Sequence, residues 1–355
     1  MASMNASDFL RRAKAAAVDL LRLSPEYAPT PLLDLGALAA QLGIGQLLAK
    51  NEGRRVLGSF KSLGGTYAGL RALARLKEMD VGGLIAARPR DLPALICASD
   101  GNHGLAVAAA ARFAGTSARI FLHSGVPALR AGRIERQGGE IVWVQGTYDN
   151  AVDAAAAAAH AGAGTLVADT TDSPDDSVVG DVMTGYGVIA AEVRRQSDAA
   201  GHRPATHVFV QAGVGGLAAA MAEGLKDWMA PPAEIVVVEP EKCACVTTAF
   251  AHGRVVRIPG DLHTAAEMLS CGEASAPAMD ILRRYGTPVV TVSEAELLEA
   301  PRILREGHGP ATTPSGAAGF AGLRRALESN VGRNFGLGRD SRVLVVITER
   351  DLEPE

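Results

Sequence analysis

The sequence predicts an α/β protein with mostly parallel sheets and helices on both sheet faces. Short runs rich in Val, Ile or Leu recur along the chain, and alanine-rich stretches typical of helices follow them, as in "ALICASDGNHGLAVAAAARFAG" and "THVFVQAGVGGLAAAMAEGL". Hydrophobic residues make up 48% of the chain and glycines number 40, which also suits this class. Parallel sheets bind ligands at the carboxyl ends of their strands, so the residues after each run are the first candidates for a site.

A chain of 355 residues is long enough for two lobes. Two polar stretches, "RPRDLP" and "DTTDSPDDS", bracket a segment of strand and helix patterns. We therefore predict a small domain over residues 91–170 and a large domain formed by residues 1–90 and 171–355.

The composition argues against nucleic-acid and membrane partners. The formal net charge is −4, aromatic residues make up 4%, and no block of Lys and Arg is present to bind a phosphate backbone. The stretch "MASMNASDFLRRAKAAAVDLL" carries charges where a signal peptide needs an apolar run, and we predict a helix capped by Ser7. The four cysteines fit neither a disulfide framework nor a zinc knuckle, so we expect a cytoplasmic protein with reduced thiols and no metal site.

A glycine-rich loop follows the run "THVFVQ". Residues Gly213 to Ala218 match the dinucleotide-binding pattern GxGxx[GA], and Glu239 ends the next run at a distance suited to a ribose hydroxyl. Bare backbone N–H groups at a helix N-terminus bind any phosphate, so the loop predicts phosphate binding and leaves its carrier open. A tight turn without a ligand is the structural alternative.

Lys61, in "GSFKSLGG", stands at a predicted helix start, and the two glycines after it allow another backbone or a flat ring to approach. A lysine in such a place can lose its proton and form a Schiff base, although most lysines are solvated surface residues. Further along, "SDGNHG" predicts a second anion-binding turn, with Asp100 and Asn102 at its edge.

Taken in order, "SFKSLGG", "SDGNHG" and "GVGGLA" resemble the pyridoxal 5′-phosphate enzymes of the tryptophan-synthase β type, which include the serine and threonine dehydratases. The resemblance covers nearly the whole chain, from "YAPTPL" to "TTPSGAAG" and the final run "VLVVITERD". It implies the two-lobed fold type II, pyridoxal 5′-phosphate as cofactor, an amino-acid substrate and a homodimer.

Asp100 points to one subfamily. Typical dehydratases of this group resemble "SSGNHG", whereas Asp100 takes the second position here, as in the diaminopropionate ammonia-lyases. The segments "GTYDNAV", "VADTTD", "VVEPEKCAC" and "GDLHTAAEMLSCGEASAPAMDIL" also resemble that family. The resemblance implies α,β-elimination of ammonia from 2,3-diaminopropionate, with pyruvate and ammonia as products. A departure is "GVGGLA", where these ammonia-lyases more often carry serine after the second glycine, and it leaves the substrate open.

The resemblance also implies a role for each matching residue. Lys61 carries the cofactor as a Schiff base and moves a proton at the substrate Cα. Phe60 packs against the pyridine ring, unless it is an ordinary core aromatic. Asn102 donates a hydrogen bond to the ring oxygen of the cofactor. The phosphate is held by backbone N–H groups of the glycine-rich loop, namely those of Gly213, Val214, Gly215, Gly216 and Leu217.

Two hydroxyl residues near the end of the chain complete the implied cofactor site. Thr348 follows the last run and faces the pyridine nitrogen, which it leaves largely unprotonated, a state that favours elimination over transamination. Ser315 stands at a helix start, where it supports the cofactor or the substrate carboxylate, or simply caps the helix.

Asp100 and Asp169 are implied to line the substrate site. A carboxylate near Cα can act as the base for one enantiomer while Lys61 serves the other. It can also bind the β-ammonium group of a diamino acid, a charge that serine lacks. For Asp169 the alternative is a turn-forming aspartate in a polar loop. We expect His103 to be a turn residue and Cys271 to be a buried thiol.

Three other functions stay open at this point. The same cofactor could act on serine, threonine or another β-substituted amino acid, by elimination or by β-replacement. An NAD-dependent oxidoreductase would explain the glycine-rich loop and Glu239, but neither "SFKSLGG" nor "SDGNHG". A non-catalytic amino-acid sensor would have no need of Lys61.

Overall fold

The computed structural model describes residues 5–99, 101–329 and 331–351. These parts of the chain form ten strands and fourteen α-helices. The strands are β1 (Leu32–Asp34), β2 (Gln46–Asn51), β3 (Leu95–Ala98), β4 (Ala118–His123), β5 (Gly139–Val144), β6 (Thr165–Leu166), β7 (His207–Gln211), β8 (Glu234–Pro240), β9 (Val289–Val292) and β10 (Arg342–Ile347). The helices are α1 (Ala6–Leu23), α2 (Gly36–Leu42), α3 (Lys61–Leu76), α4 (Val81–Ala87), α5 (Asn102–Ala114), α6 (Ala128–Arg136), α7 (Tyr148–His160), α8 (Ser177–Ala199), α9 (Gly216–Leu225), α10 (Cys245–His252), α11 (Ala276–Arg284), α12 (Glu294–Glu306), α13 (Pro314–Glu328) and α14 (Val331–Asn334).

The strands form two sheets. The larger sheet has the order β1-β2-β10-β7-β8-β9, and β1 pairs with β2 antiparallel while the other neighbours are parallel. The smaller sheet has the order β5-β4-β3-β6 and is parallel throughout. The predicted α/β class with mostly parallel sheets is therefore confirmed. The four strands of the smaller sheet lie within residues 91–170, and the division of the chain at these limits stays a prediction.

Helices cover both faces of the larger sheet, which explains why its central strands are apolar on both sides. Along β7, Val208 and Val210 belong to a core shared with α3, α8 and α9, whereas Phe209 faces α13, where Phe320 is buried. The first of these cores continues onto the smaller sheet through β3, β4 and α5 and so joins the two sheets. The opposite face of the smaller sheet is covered by α7.

Helices α3 and α8 cross at two glycines. A Cβ atom on Gly185 of α8 would lie 2.7 Å from Gly64 Cα and 2.7 Å from Leu63 O. Only glycine permits this approach, because real Cβ atoms do not come so close to backbone atoms. The crossing places the first turn of α3, which begins at Lys61, beside Tyr186 of α8.

The N-terminal helix begins two residues earlier than its predicted cap implies. Asn5 is the cap of α1, and its side chain accepts a hydrogen bond from Asp8 N at 2.9 Å. The prediction of Ser7 as the cap is wrong, since Ser7 lies within the first turn of the helix. Asn and Ser are equally good caps, so residue preference could not choose between the two positions. Within the described ranges, no helix has both the length and the apolar character needed to cross a membrane.

Candidate functional site

A cleft lies where strands of both sheets end. The chain enters it after β3, after β7 and after β10, as expected for a ligand site of parallel sheets. Every described residue that the sequence predicts for the site lines this cleft. The lining includes Phe60, Lys61, Asn102, Tyr148, Asp169, Tyr186, Gln211, Gly213, Val214, Gly215, Gly216, Leu217, Met268, Cys271, Ser315, Thr348 and Glu349.

Lys61 and Asp169 form an ion pair in the cleft between Lys61 Nζ and Asp169 Oδ2. The Asp169 side chain is 7% exposed and that of Lys61 is 20% exposed. Tyr148 Oη donates a hydrogen bond to Asp169 Oδ1 at 3.2 Å. Asp169 is therefore buried and lines the cleft at a bend after β6, and its part in catalysis stays a prediction.

The pair holds its proton on the lysine. Burial alone would lower the pKa of Lys61, but the Asp169 carboxylate outweighs burial and raises this pKa above its usual value. Burial would in turn raise the pKa of Asp169, and the positive charge of Lys61 instead lowers it. The result is a proton donor next to an anionic acceptor, an arrangement suited to moving a proton.

Phe60 packs against Tyr186, with the ring centroids 4.8 Å apart and the planes at 54°. Lys61 Nζ lies 5.7 Å from the Phe60 ring centroid. Burial raises the pKa of Tyr186, so this phenol stays protonated at neutral pH. Phe60 thus has the packing of a core aromatic and also lines the cleft.

The turn before α5 is held by Ser99, whose Oγ accepts hydrogen bonds from Gly101 N and Gly104 N, each at 2.8 Å. This geometry directs Asn102, the first residue of α5, into the cleft. Asp100, which the sequence singles out, lies outside the described residues.

Glu349 also lines the cleft, although no role there is predicted for it from the sequence. Its Oε2 accepts a hydrogen bond from Asn102 Nδ2, and its Oε1 accepts one from Thr313 Oγ1. Burial raises the pKa of Glu349, while these two donors oppose the shift. Its position could have been predicted from the sequence, because it follows Thr348 directly after the last strand, where parallel sheets bind ligands.

The glycine-rich loop joins β7 to α9. Gly215 has φ +96°, a conformation that favours glycine. A Cβ atom on Gly216 would have no neighbour closer than 3.7 Å, so space remains in front of the helix start. The first N–H groups of a helix lack acceptors within it and carry partial positive charge, so this end of α9 can bind an anion.

Gln211 organises the other side of the cleft. Its Nε2 donates hydrogen bonds to Thr348 Oγ1 at 3.0 Å and to Ser315 O at 2.9 Å. The cap of α13 is Thr313, which accepts a hydrogen bond from Gly316 N at 3.0 Å, so the alternative that Ser315 caps this helix is wrong. Ser315 Oγ instead accepts a hydrogen bond from Met268 N at 3.1 Å.

Glu239 does not belong to the cleft. Its carboxylate accepts hydrogen bonds from Val246 N at 2.7 Å and from Thr247 N at 2.9 Å, at the start of α10, and it is fully buried. Burial raises the pKa of Glu239 to about 7. A ribose hydroxyl could not reach this carboxylate, which removes the second support for an NAD-dependent oxidoreductase.

Four further residues line the cleft although the sequence predicts no site role for them. Tyr148 and Tyr186 line the cleft from α7 and α8, and nothing local in the sequence indicates this. Gln211 ends β7 directly before the glycine-rich loop, where parallel sheets bind ligands, so its position was a local signal. His103 also lines the cleft and is buried in α5, with its Nε2 2.7 Å from Val167 O, so the expectation of a turn residue is wrong. Across the described residues, no cluster of His, Cys, Asp or Glu could hold a metal ion.

The chain is similar to proteins of known function. A family model described as pyridoxal-phosphate dependent enzyme matches residues 23–349. Diaminopropionate ammonia-lyase of Escherichia coli strain K12 is 30% identical over 342 residues, which span 92% of this chain and 85% of that protein. A biosynthetic L-threonine dehydratase of Haemophilus influenzae is 30% identical over 305 residues, which span 85% of this chain and 53% of that protein.

A solved structure agrees with the sequence relatives. The crystal structure of holo diaminopropionate ammonia lyase from Escherichia coli aligns with a TM-score of 0.86 at 29% identity, covering 96% of this chain and 89% of that chain. Together with the family match, which spans most of the sequence, it shows that this chain belongs to the family of pyridoxal-phosphate dependent enzymes.

Proposed function

We propose that this enzyme is a carbon–nitrogen lyase that eliminates ammonia from 2,3-diaminopropionate. In the overall reaction, one water is consumed, and the substrate becomes one pyruvate and two ammonium ions. The observation that carries the proposal is the buried Asp169 carboxylate beside Lys61, in a chain similar to diaminopropionate ammonia-lyases over most of its length.

The residues of the cleft fit pyridoxal phosphate. The start of α9 offers N–H groups to an anion, and the space in front of Gly216 would be filled by any side chain there. Lys61 would hold the aldehyde carbon, and Phe60, Asn102 and Thr348 would surround the ring. When bound, the cofactor supplies an electron sink for negative charge at the substrate Cα.

Asp169 has the properties needed to recognise a diamino acid. It is buried and ionised, and its Oδ1 is held by Tyr148. A fixed carboxylate in a low-dielectric cleft binds an ammonium group through a charge-assisted hydrogen bond. The β-ammonium group of 2,3-diaminopropionate offers this partner, whereas the β-hydroxyl of serine carries no charge.

Lys61 would move the proton at Cα. Its amine would take that proton from one face of the substrate, and Asp100 would serve the other enantiomer. The part given to Asp100 follows from the sequence alone. As the bond to Cβ breaks, the β-nitrogen leaves with the bonding electron pair as ammonia. The proton that Lys61 removes from Cα would convert this ammonia to ammonium, which the Asp169 carboxylate would stabilise.

The test is pyruvate release by the purified holoenzyme from D- and L-2,3-diaminopropionate, set against D- and L-serine and L-threonine. The proposal expects kcat/KM for at least one diaminopropionate enantiomer to exceed that for every hydroxy amino acid. A higher kcat/KM for threonine or serine would instead support a dehydratase, the activity named for the Haemophilus influenzae relative.

The variant Asp100→Asn tests the division of roles. It should keep the cofactor bound and lose elimination of one diaminopropionate enantiomer. Unchanged turnover of both enantiomers would remove Asp100 from the proposed mechanism. We also propose a cytoplasmic homodimer, whose oligomeric state sedimentation velocity of the purified protein would test.

A further inference from the structure

A second cavity lies close to the cleft. Glu349 lines the cleft, whereas the next residue, Arg350, lines the second cavity. Arg54 of the segment between β2 and α3 also lines it, and so do Arg133 and Arg136 of α6. The cavity is therefore bounded by elements of the larger sheet on one side and by a helix of the smaller sheet on the other.

The charge of this cavity is strongly positive. Arg54, Arg133, Arg136 and Arg350 form no ion pair with any carboxylate of the described residues, although most other arginines nearby do. Asp351 is the one acidic side chain among the described residues that line the cavity, and its Oδ2 lies 3.7 Å from Arg305 Nη2.

A fifth arginine of the cavity, Arg55, differs from these four because carboxylates neutralise its charge. Its guanidinium is buried between Glu52 and Glu192, with Nε 2.9 Å from Glu52 Oε2 and Nη2 2.7 Å from Glu192 Oε2. The four neighbouring arginines lack such carboxylates. No carboxylate of the described residues lies within ion-pair distance of them, although Glu349 acts on Arg133 from further away.

Arg133 interacts with two of the other three arginines, Arg136 and Arg350. Its Nη2 donates a hydrogen bond to Leu57 O at 2.5 Å, which fixes the guanidinium against the segment that leads to Lys61. Burial lowers the pKa of Arg133, repulsion from Arg350 and Arg136 lowers it further, and the Glu349 carboxylate opposes the shift without outweighing it. Like charges held together in this way attract an anion, because each bound negative charge relieves several repulsions at once.

We propose that this cavity binds a small polyanion with two phosphoryl groups. Each guanidinium can donate two parallel hydrogen bonds to a phosphoryl group, and the four positive charges around the cavity match the charge of two phosphoryl groups. Two of the arginines belong to α6 and two belong to segments next to Lys61 and Thr348, so the bound anion joins both sides of the cavity. The site is separate from the phosphate-binding loop at α9, and the proposal does not depend on the identity of the amino-acid substrate.

Inorganic pyrophosphate is the probe for this site. It is titrated calorimetrically into the holoenzyme, whose α9 loop is filled by cofactor, at an ionic strength fixed with chloride. Saturable binding of one pyrophosphate per chain is expected, with a Kd below about 1 mM. Binding should also raise the midpoint of thermal unfolding, because the ligand favours the folded state.

Arg136→Ala and Arg350→Ala should each weaken pyrophosphate binding about ten-fold or more, since each removes one charged hydrogen-bonding group. Both side chains are exposed, and circular dichroism would confirm that the variants fold. Arg11→Ala is the matched control, because this arginine is 74% exposed on α1 and outside the cavity, and its pyrophosphate affinity should not change.

Three results would overturn the proposal. The first is the absence of saturable binding to the holoenzyme. The second is equal affinity in Arg136→Ala, Arg350→Ala and Arg11→Ala, which would place pyrophosphate elsewhere. The third is orthophosphate binding as tightly as pyrophosphate, which would remove the requirement for two phosphoryl groups.

Discussion

The ammonium group of Lys61 and the carboxylate of Asp169 form an ion pair in the cleft although 108 positions separate them in the chain. Lys61 begins α3, which packs with the larger sheet, and Asp169 follows β6 of the smaller sheet. Tyr148, the first residue of α7, holds the second oxygen of Asp169. The geometry of the pair therefore depends on how the two sheets meet.

Removing the charge of Asp169 should lower the turnover number strongly and should affect cofactor binding much less. Asp169→Asn keeps the side-chain volume, but the amine of Lys61 loses its anionic partner, and burial then lowers the pKa of Lys61. We expect kcat for 2,3-diaminopropionate to fall by about 10²- to 10⁴-fold, the usual contribution of a positioned acid or base. Steady-state kinetics gives kcat, and the absorbance of the bound cofactor gives its occupancy.

The control for this variant is Asp153→Asn on α7, since this carboxylate is 61% exposed and pairs with Arg257 at the surface. Its kcat should match that of the unaltered enzyme. If Asp169→Asn also turned over at the unaltered rate, Asp169 would have no part in the chemistry.

Lys61 should be the lysine that carries the cofactor. Among the described residues, no other lysine lines the cleft. Borohydride reduction of the holoenzyme followed by peptide mapping should find the pyridoxyl group on Lys61. Lys61→Ala should give no labelled peptide, whereas Lys77→Ala, whose amine pairs with Asp91 at the surface, should be labelled as before. A pyridoxyl group on any other lysine would show that the assignment is wrong.

Glu239 should make the stability of the protein fall between about pH 4.5 and pH 7. Burial raises its pKa in the folded state from 4.5 to about 7, so the folded protein binds this proton more tightly than the unfolded chain does. The stabilisation is complete below the unfolded pKa and is lost as pH rises through the folded pKa, a change of about 3 kcal/mol.

Glu239→Gln tests this contribution because its side chain does not titrate. Urea unfolding of both proteins at pH 5 and pH 7.5 gives the free energy of unfolding, and the decrease between the two pH values should be smaller for the variant. Equal decreases in the two proteins would mean that Glu239 ionises with the same pKa in the folded and unfolded states.

The sequence could predict those parts of the site that are contiguous in the chain. Runs of Val and Ile mark β7 and β10, and the loop from Gly213 to Leu217 follows its strand directly, so the position of the loop at a sheet edge follows from local pattern. The cap of α1 shows the limit of such reasoning. Asn5 and Ser7 are both good caps, and local preference does not choose between them.

Contacts between distant segments could not be predicted in the same way. Glu349 meets Asn102 and Thr313, residues 247 and 36 positions away, only because β10 ends beside the starts of α5 and α13. Tyr148 reaches Asp169 only because α7 covers the smaller sheet. These contacts depend on packing between elements, which hydrophobic periodicity does not specify.

The crossing of α3 and α8 should be intolerant of a single methyl group. In Gly185→Ala the new Cβ would meet Gly64 Cα and Leu63 O at 2.7 Å, and these backbone atoms cannot rotate away. Helix α8 would have to move from α3, which we expect to destabilise the protein by about 1–3 kcal/mol or more. The movement also displaces Tyr186 from the first turn of α3, so the affinity for pyridoxal phosphate should fall.

Gly180→Ala is the matched control, because it makes the same change in the same helix with no atom within 4 Å of the new Cβ. Alanine is the better helix former, so this variant should be as stable as the unaltered protein or more stable by up to about 1 kcal/mol. Urea unfolding and cofactor titration of both variants separate the two effects. We expect Gly185→Ala to lower the free energy of unfolding and Gly180→Ala to leave it unchanged or raise it. If Gly185→Ala matched Gly180→Ala in both stability and cofactor affinity, the helices would cross less closely than the structure shows.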